Sequence, residues 1–307
     1  MYGRSRPQMM STCYIGAAAQ ITLFRLCAGP DQERVCFVDS RRYKLAMEIT
    51  PFRVASKNAD LACVRFGEGP PLVLAHPVLF SKAYYAEAAD VWGARFTCVA
   101  FDQRCHGGTT SSMLTTADLA GDVGAVLDHM KWDKAAIGGT SFGAASTLLY
   151  ALSNPGRVTM LIQDLPGFGP GTFRDPFQTS RIAAALEDAD LEDAAKQITM
   201  GMSEPRAKAW TEALFADWKN YDGATIGPKM AGALRASSSW RIVGRWPDEL
   251  QKLTMPVRIF GVQGDPIHPW DTAQTMARTI KGARLSPRVQ SLSASAIATQ
   301  WIDALTL

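Results

Sequence analysis

Between residues 70 and 165, short apolar runs alternate with amphipathic stretches, and this alternation narrows the possible fold more than any other feature. The runs "PPLVLAHP", "FTCVAFD", "KAAIGGTS" and "VTMLIQDL" are too short for helices. Between them lie "SKAYYAEAADVWG", "TTADLAGDVGAVLDHMK" and "GAASTLLYALSN", where apolar residues recur at helical spacing. Strands apolar on both faces and separated by helices predict a parallel sheet covered on both sides. Upstream, "PFRVAS" and "LACVRFG", joined by "KNAD", predict a hairpin. The alternation stops after "LPGFGPG": residues 172–250 are helix-prone and show no clear strand. It resumes with "PVRIFGVQG", "WDTAQTMARTIKG", "ARLSPRV" and "SASAIATQWIDAL". The expectation is an α/β chain with a mostly parallel, doubly wound sheet and a helical insertion. Its divisions are an extension at 1–46, a first core part at 47–168, the insertion at 169–250 and a second core part at 251–307.

Composition excludes several function classes. A formal charge of +3 is too small to single out nucleic acid as a partner. Residues 1–46 hold seven Lys/Arg against three Asp/Glu but no basic stripe with interleaved aromatics, so no nucleic-acid binding is expected. The six cysteines lack C-x-x-C spacing and read as free thiols of a cytoplasmic protein. No cysteine or histidine pair has ligand spacing, so neither metal nor cofactor is expected. The apolar run 13–26 resembles an export signal, but Gln20 and Arg25 interrupt it, and it is too short to cross a membrane. Residues 1–46 are therefore read as a non-native or poorly ordered leader, with the folded part beginning near Met47 and no membrane partner. Oligomeric state is open.

The stretch "GGTSFGAA" carries the chemistry. Gly139-Thr140-Ser141-Phe142-Gly143 falls where a predicted strand ends and a predicted helix begins. So tight a turn strains the serine backbone and needs small neighbours. It leaves the hydroxyl above the sheet edge, at a helix end that carries partial positive charge.

Together with "LVLAHPVLF", "AFDQRCHGGTTS" and "MPVRIFGVQGDPIHP", this stretch makes the chain from about Met47 to Leu307 resemble an α/β-hydrolase-fold enzyme. Within that family it is most similar to the capped esterase and lactonase branch, whose helical cap lies between the sixth and seventh strands of the family's sheet. The resemblance implies Ser141 as nucleophile, with oxyanion donors at the N–H groups of Phe142 and Val78. Pro77, which has no N–H, stands where the family usually has glycine. It also implies Asp265 as the acid that orients the base.

The family's histidine follows the last strand, yet nothing after His268 is a histidine. A serine hydroxyl needs a base within hydrogen-bond reach. Of the four histidines, His129 sits at a helix end, while His76 and His106 lie near the pocket in loops where the family packs them. His268, three residues after Asp265 in "GDPIHP", is the best candidate, because a triad is defined by geometry rather than chain order. The alternative is that His268 packs or caps the next helix. Asp164, in "IQDLPGFG", is the alternative acid, or else a residue of the cap hinge.

Cys105, placed where the family usually has glycine, reads as a steric substitution rather than as half of a Cys–His pair. Trp210, Phe215, Trp218, Tyr221, Trp240 and Trp246 could line an apolar pocket. Trp210, Phe215 and Trp218 lie near helical spacing and read better as the cap's own core.

The expected activity is cofactor-free hydrolysis of a small apolar carboxylic ester or lactone through an acyl-enzyme on Ser141. The alternatives are a non-catalytic ligand-binding relative, and a C–C hydrolase or rearrangement enzyme using the same pocket.

Overall fold

A computed structural model describes residues 8–15, 19–27, 33–39, 47–111, 114–168, 176–238, 244–265, 267–289 and 293–305. Three antiparallel strands, β1 (Gln8–Ile15), β2 (Ala19–Cys27) and β3 (Glu33–Asp39), run through the segment set apart as the extension. They continue the edge formed by β4 (Glu48–Ser56) and β5 (Ala59–Phe66). The expected hairpin turns more tightly than "KNAD" implied. Ser56 pairs with Ala59, and Asn58 takes φ 55° in the two-residue turn.

Next come β6 (Pro71–Ala75), the short helices α1 (Ala83–Ala86) and α2 (Ala89–Gly93), and β7 (Thr97–Phe101). One helix was expected where α1 and α2 stand. Ala88, at φ −113° and ψ 28°, breaks the helical path and lets Tyr85 and Trp92 both reach the core. Then follow α3 (Thr116–His129), β8 (Ala135–Thr140), α4 (Phe142–Ser153) and β9 (Val158–Asp164). A capping box between Thr115 and Asp118 starts α3.

Between β9 and the next strand lie α5 (Pro176–Glu187), α6 (Leu191–Thr199), α7 (Glu204–Trp218) and α8 (Gly223–Ser238). The chain returns to the sheet with β10 (Val257–Gly261), α9 (Trp270–Thr279), β11 (Arg284–Pro287) and α10 (Ala294–Leu305).

The strand order is β1-β2-β3-β4-β5-β7-β6-β8-β9-β10-β11. From β7 to β11 every pairing is parallel, whereas β5 meets β7 antiparallel. The central parallel strands, such as β8 and β10, are buried on both faces, which explains their unbroken apolar character, while the edge strand β11 is partly exposed. One core packs α3, α4 and α9 on one face of the sheet, and the other packs α1, α2 and α10 on the opposite face around Tyr85, Trp92 and Trp301.

The inserted helices have a core of their own. Leu214, Trp218, Met230 and Leu234 are buried in it, with Trp210, Phe215 and Tyr221 packed against them. Trp246 departs from the expected aromatic group and packs instead on Phe168 and the sheet core. Trp240 lies outside the described residues.

Candidate active site

Backbone crowding explains the glycines around Ser141. A Cβ on Gly139 would overlap the backbone of Gly143, and one on Gly143 would overlap the carbonyl of Ala75. Strand β8 and helix α4 meet at the turn with no room for side chains, and Ser141 is held at φ 53° and ψ −108°. Such a conformation costs on the order of 1–3 kcal/mol and persists only where its surroundings fix it. Here the Ser141 N–H donates to the carbonyl of Asp164 at 2.8 Å, tying the turn to the end of β9. Phe142 opens α4, so the positive end of that helix lies beside the hydroxyl.

The loop from β10 to α9 brings the imidazole. Asp265 Oδ1 accepts from the N–H groups of Ile267 at 2.8 Å and His268 at 3.0 Å, folding the loop into a fixed turn. That turn aims His268 Nε2 at Ser141 Oγ, 2.9 Å away across 127 residues of sequence. On the other side of the ring, Nδ1 lies 3.4 Å from Asp265 Oδ1. This is an ion-pair distance rather than a hydrogen bond, and among the described residues Nδ1 has no hydrogen-bond partner. Burial raises the Asp265 pKa, but the facing imidazole and the two N–H donors outweigh it and hold the carboxyl down at about 2. A cap residue also reaches this acid: Arg206 Nη2 lies 3.7 Å from Asp265 Oδ2.

Asp164 is committed elsewhere. It is fully buried, accepts from Arg288 Nε at 2.8 and 3.0 Å, and accepts from the Thr140 hydroxyl at 2.9 Å. Arg288 Nη2 donates onward to the Tyr84 hydroxyl at 3.3 Å. Among the described residues no hydrogen bond or ion pair joins Asp164 to His268.

Two of the remaining histidines, His76 and His106, are engaged with the backbone. His76 Nδ1 lies 2.8 Å from the Pro77 carbonyl, and its Nε2 accepts from the Gln103 N–H. His106 Nδ1 lies 2.9 Å from the Arg104 carbonyl, and its Nε2 accepts from the Leu79 N–H. Burial pushes both pKa values down to about 3 and holds the rings neutral. His129 is exposed and stacks on Phe52. The Cys105 thiol is buried, at φ 66°, and its pKa is pushed up to about 11, chiefly by burial.

Val78 begins a tight turn in which Leu79 takes φ 71°. No hydrogen bond is donated by the Val78 N–H among the described residues. The following segment is clamped by the cap: Trp218 Nε1 donates to the Leu79 carbonyl at 2.7 Å, and Asp217 Oδ2 accepts from the N–H and hydroxyl of Ser81.

The matching family model is that of the alpha/beta hydrolase fold, over residues 70–287. The chain belongs to that family. Its structure is similar to an enol-lactonase from Burkholderia xenovorans LB400, with TM-score 0.70 and 18% identity over 83% of this chain and 100% of that one. It is also similar to a 2-hydroxy-6-oxo-6-phenylhexa-2,4-dienoate hydrolase from Rhodococcus sp. strain RHA1, with TM-score 0.67 and 20% identity over 85% of this chain and 100% of that one. A third similar structure is a thermophilic esterase from Thermogutta terrifontis, with TM-score 0.66 and 18% identity over 84% of this chain and 97% of that one. At these identities the likeness is one of fold. A curated relative, an abhydrolase domain-containing protein of Schizosaccharomyces pombe, is 29% identical over 147 residues, or 43% of this chain. The chain spans about half of that relative's length, 52%.

Sequence reasoning thus placed Ser141, His268 and Asp265 in one cluster and set Asp164 apart only as an alternative. It missed Arg206 and Arg288. The only signal for Arg288 was a charge directly after the last strand, in "SPRV". Among the described residues no group of three His, Cys, Asp or Glu could hold a metal ion, and no helix is long and apolar enough to cross a membrane.

Proposed function

We propose that the chain is a cofactor-free serine hydrolase acting on a small apolar carboxylic ester or lactone. The observation that carries this reading is the 2.9 Å approach of His268 Nε2 to Ser141 Oγ, at a strained strand-to-helix turn of the kind a nucleophile elbow uses. With its proton on Nδ1, facing Asp265, the ring presents the Nε2 lone pair to the serine hydroxyl. Ser141 Oγ attacks the acyl carbon while His268 takes the hydroxyl proton, and the ionised Asp265 stabilises the resulting imidazolium. The N–H groups of Val78 and Phe142 receive the oxyanion. Collapse expels the alcohol oxygen, which takes the proton from His268. Water then attacks the acyl-enzyme with His268 as base again, releasing the acid and restoring Ser141.

Fluorophosphonate labelling read by mass spectrometry tests this reading without needing the natural substrate. Wild-type protein should give one adduct on Ser141, and His268→Ala should label at least about 100-fold more slowly. A panel of short-chain esters and lactones should be hydrolysed by the wild type alone. An adduct forming equally fast in both proteins would remove His268 as the base. Folded wild-type protein without any adduct would favour a ligand-binding relative.

A further inference from the structure

The His268 ring lies against Gly167, in the loop leaving β9. A Cβ built on Gly167 would stand 2.8 Å from His268 Cδ2 and 3.5 Å from its Nε2. Real carbon contacts do not close to 2.8 Å, so any side chain here must move the ring. The loop has little freedom to yield instead. The Leu165 N–H donates to the Phe260 carbonyl at 2.8 Å, and Phe168 is buried against Trp246. Gly167 is also not among the residues at positive φ, so its backbone does not demand glycine. What it lacks is the volume that the imidazole occupies.

We infer that Gly167 is a positioning residue: its missing side chain forms the slot that lets a histidine carried by the β10 loop reach Ser141. This rests on the reading of His268 as base, and it adds a requirement on a second loop that the triad alone does not contain. A methyl group at 167 would push Cδ2 outward by roughly 0.7 Å or more to restore ordinary contact. The ring pivots as a unit, so Nε2 would retreat from 2.9 Å to beyond the reach of a good hydrogen bond. Misplacement of this size slows a catalysed step by about 10- to 100-fold.

The test compares wild type, Gly167→Ala, His268→Ala and the double variant. Gly167→Ala should slow fluorophosphonate capture at Ser141 by about 10- to 100-fold and lower kcat for an ester substrate while leaving KM within about twofold. It should lower Tm in the wild-type background and not in His268→Ala, where the obstructing ring is gone. If Gly167→Ala does not fold alone but folds in the His268→Ala background, the ring is still identified as the obstacle. Failure to fold in both backgrounds, or an equal Tm loss in both, overturns the inference, because the methyl group then clashes with something else. Wild-type labelling by Gly167→Ala, with His268→Ala inactive, removes the role of Gly167 alone. Wild-type labelling by His268→Ala removes the base assignment and this inference with it.

Discussion

Asp164 ends β9, Asp265 sits in the loop after the neighbouring β10, and the surroundings of the two carboxylates differ sharply. Asp164 is shut away from solvent, carries its own counter-charge in Arg288 and shares a hydrogen bond with Thr140. Its side chain ties Thr140 and Arg288 together at the end of β9, beside Ser141. Asp265 sits in a loop, 9% exposed, with backbone N–H donors on Oδ1 and His268 Nδ1 within 3.4 Å. Among the described residues no buried cation pairs with it, and the guanidinium that does, Arg206, is half-exposed at 3.7 Å. Under the proposed function, this contrast is what favours Asp265 over Asp164 as the acid. On the proposed reading, the carboxylate whose guanidinium partner is half-exposed, rather than buried and closely paired, is the one able to stabilise an imidazolium.

The largest expected effect divides the pair by activity. Asp265→Asn keeps a side-chain oxygen that accepts from the Ile267 and His268 N–H groups, and so the turn, but removes the charge facing Nδ1. It should lower kcat/KM for an ester by about 10²- to 10⁴-fold with modest change in stability. The pair can be divided by stability as well. Arg288→Met strands the Asp164 charge in the interior, and denaturant unfolding should show a loss of about 3–5 kcal/mol. The surviving folded protein should still label at Ser141. Unchanged stability in Arg288→Met would mean that the ion pair does not hold this edge.

A third carboxylate extends the comparison into pH. Asp217 is buried at the contact between cap and core, where burial, with Asp102 and Glu87 nearby, raises its pKa to about 7 despite two hydrogen bonds from Ser81. Lys82 and Tyr221 also border this region. Because the folded pKa lies above the unfolded one, this group makes stability fall as pH rises from about 4 to about 7, by ~4 kcal/mol at most. Asp265, lowered to about 2, has the opposite sign, and its contribution is lost as pH falls from about 4 toward 2. Unfolding midpoints measured across pH 4–8 should therefore flatten in Asp217→Asn. A slope identical to wild type would contradict the assignment. The smallest effect belongs to Arg206→Ala. An exposed ion pair contributes under about 1 kcal/mol, so stability should barely change and kcat should stay within a few-fold of wild type.

The central parallel strands were legible because β6 to β10 are buried on both faces, and burial writes itself into sequence as continuous apolar runs, whereas β1 to β3 in the N-terminal segment were not read as strands. The elbow was legible because a backbone clash at Gly139 and Gly143 leaves glycine as the only solution. His268 was reachable by elimination among four histidines, yet the direction of its ring depends on a turn set by hydrogen bonds to Asp265. Arg288 and Gly167 could not be read in advance. One meets its partner across 124 residues, and the other matters for the space it leaves to a ring on a different loop. The break at Ala88 escaped notice because the sequence around it keeps a helical pattern through both short helices.

The central claim is that His268 and Asp265, rather than Asp164, activate Ser141. The most direct test is the second-order rate of fluorophosphonate capture at Ser141, per mole of folded protein, in Asp265→Asn and Asp164→Asn side by side. The account predicts a loss of about 100-fold or more in Asp265→Asn and a rate within a few-fold of wild type in Asp164→Asn. The reverse order would give the acid role to Asp164 and contradict the account.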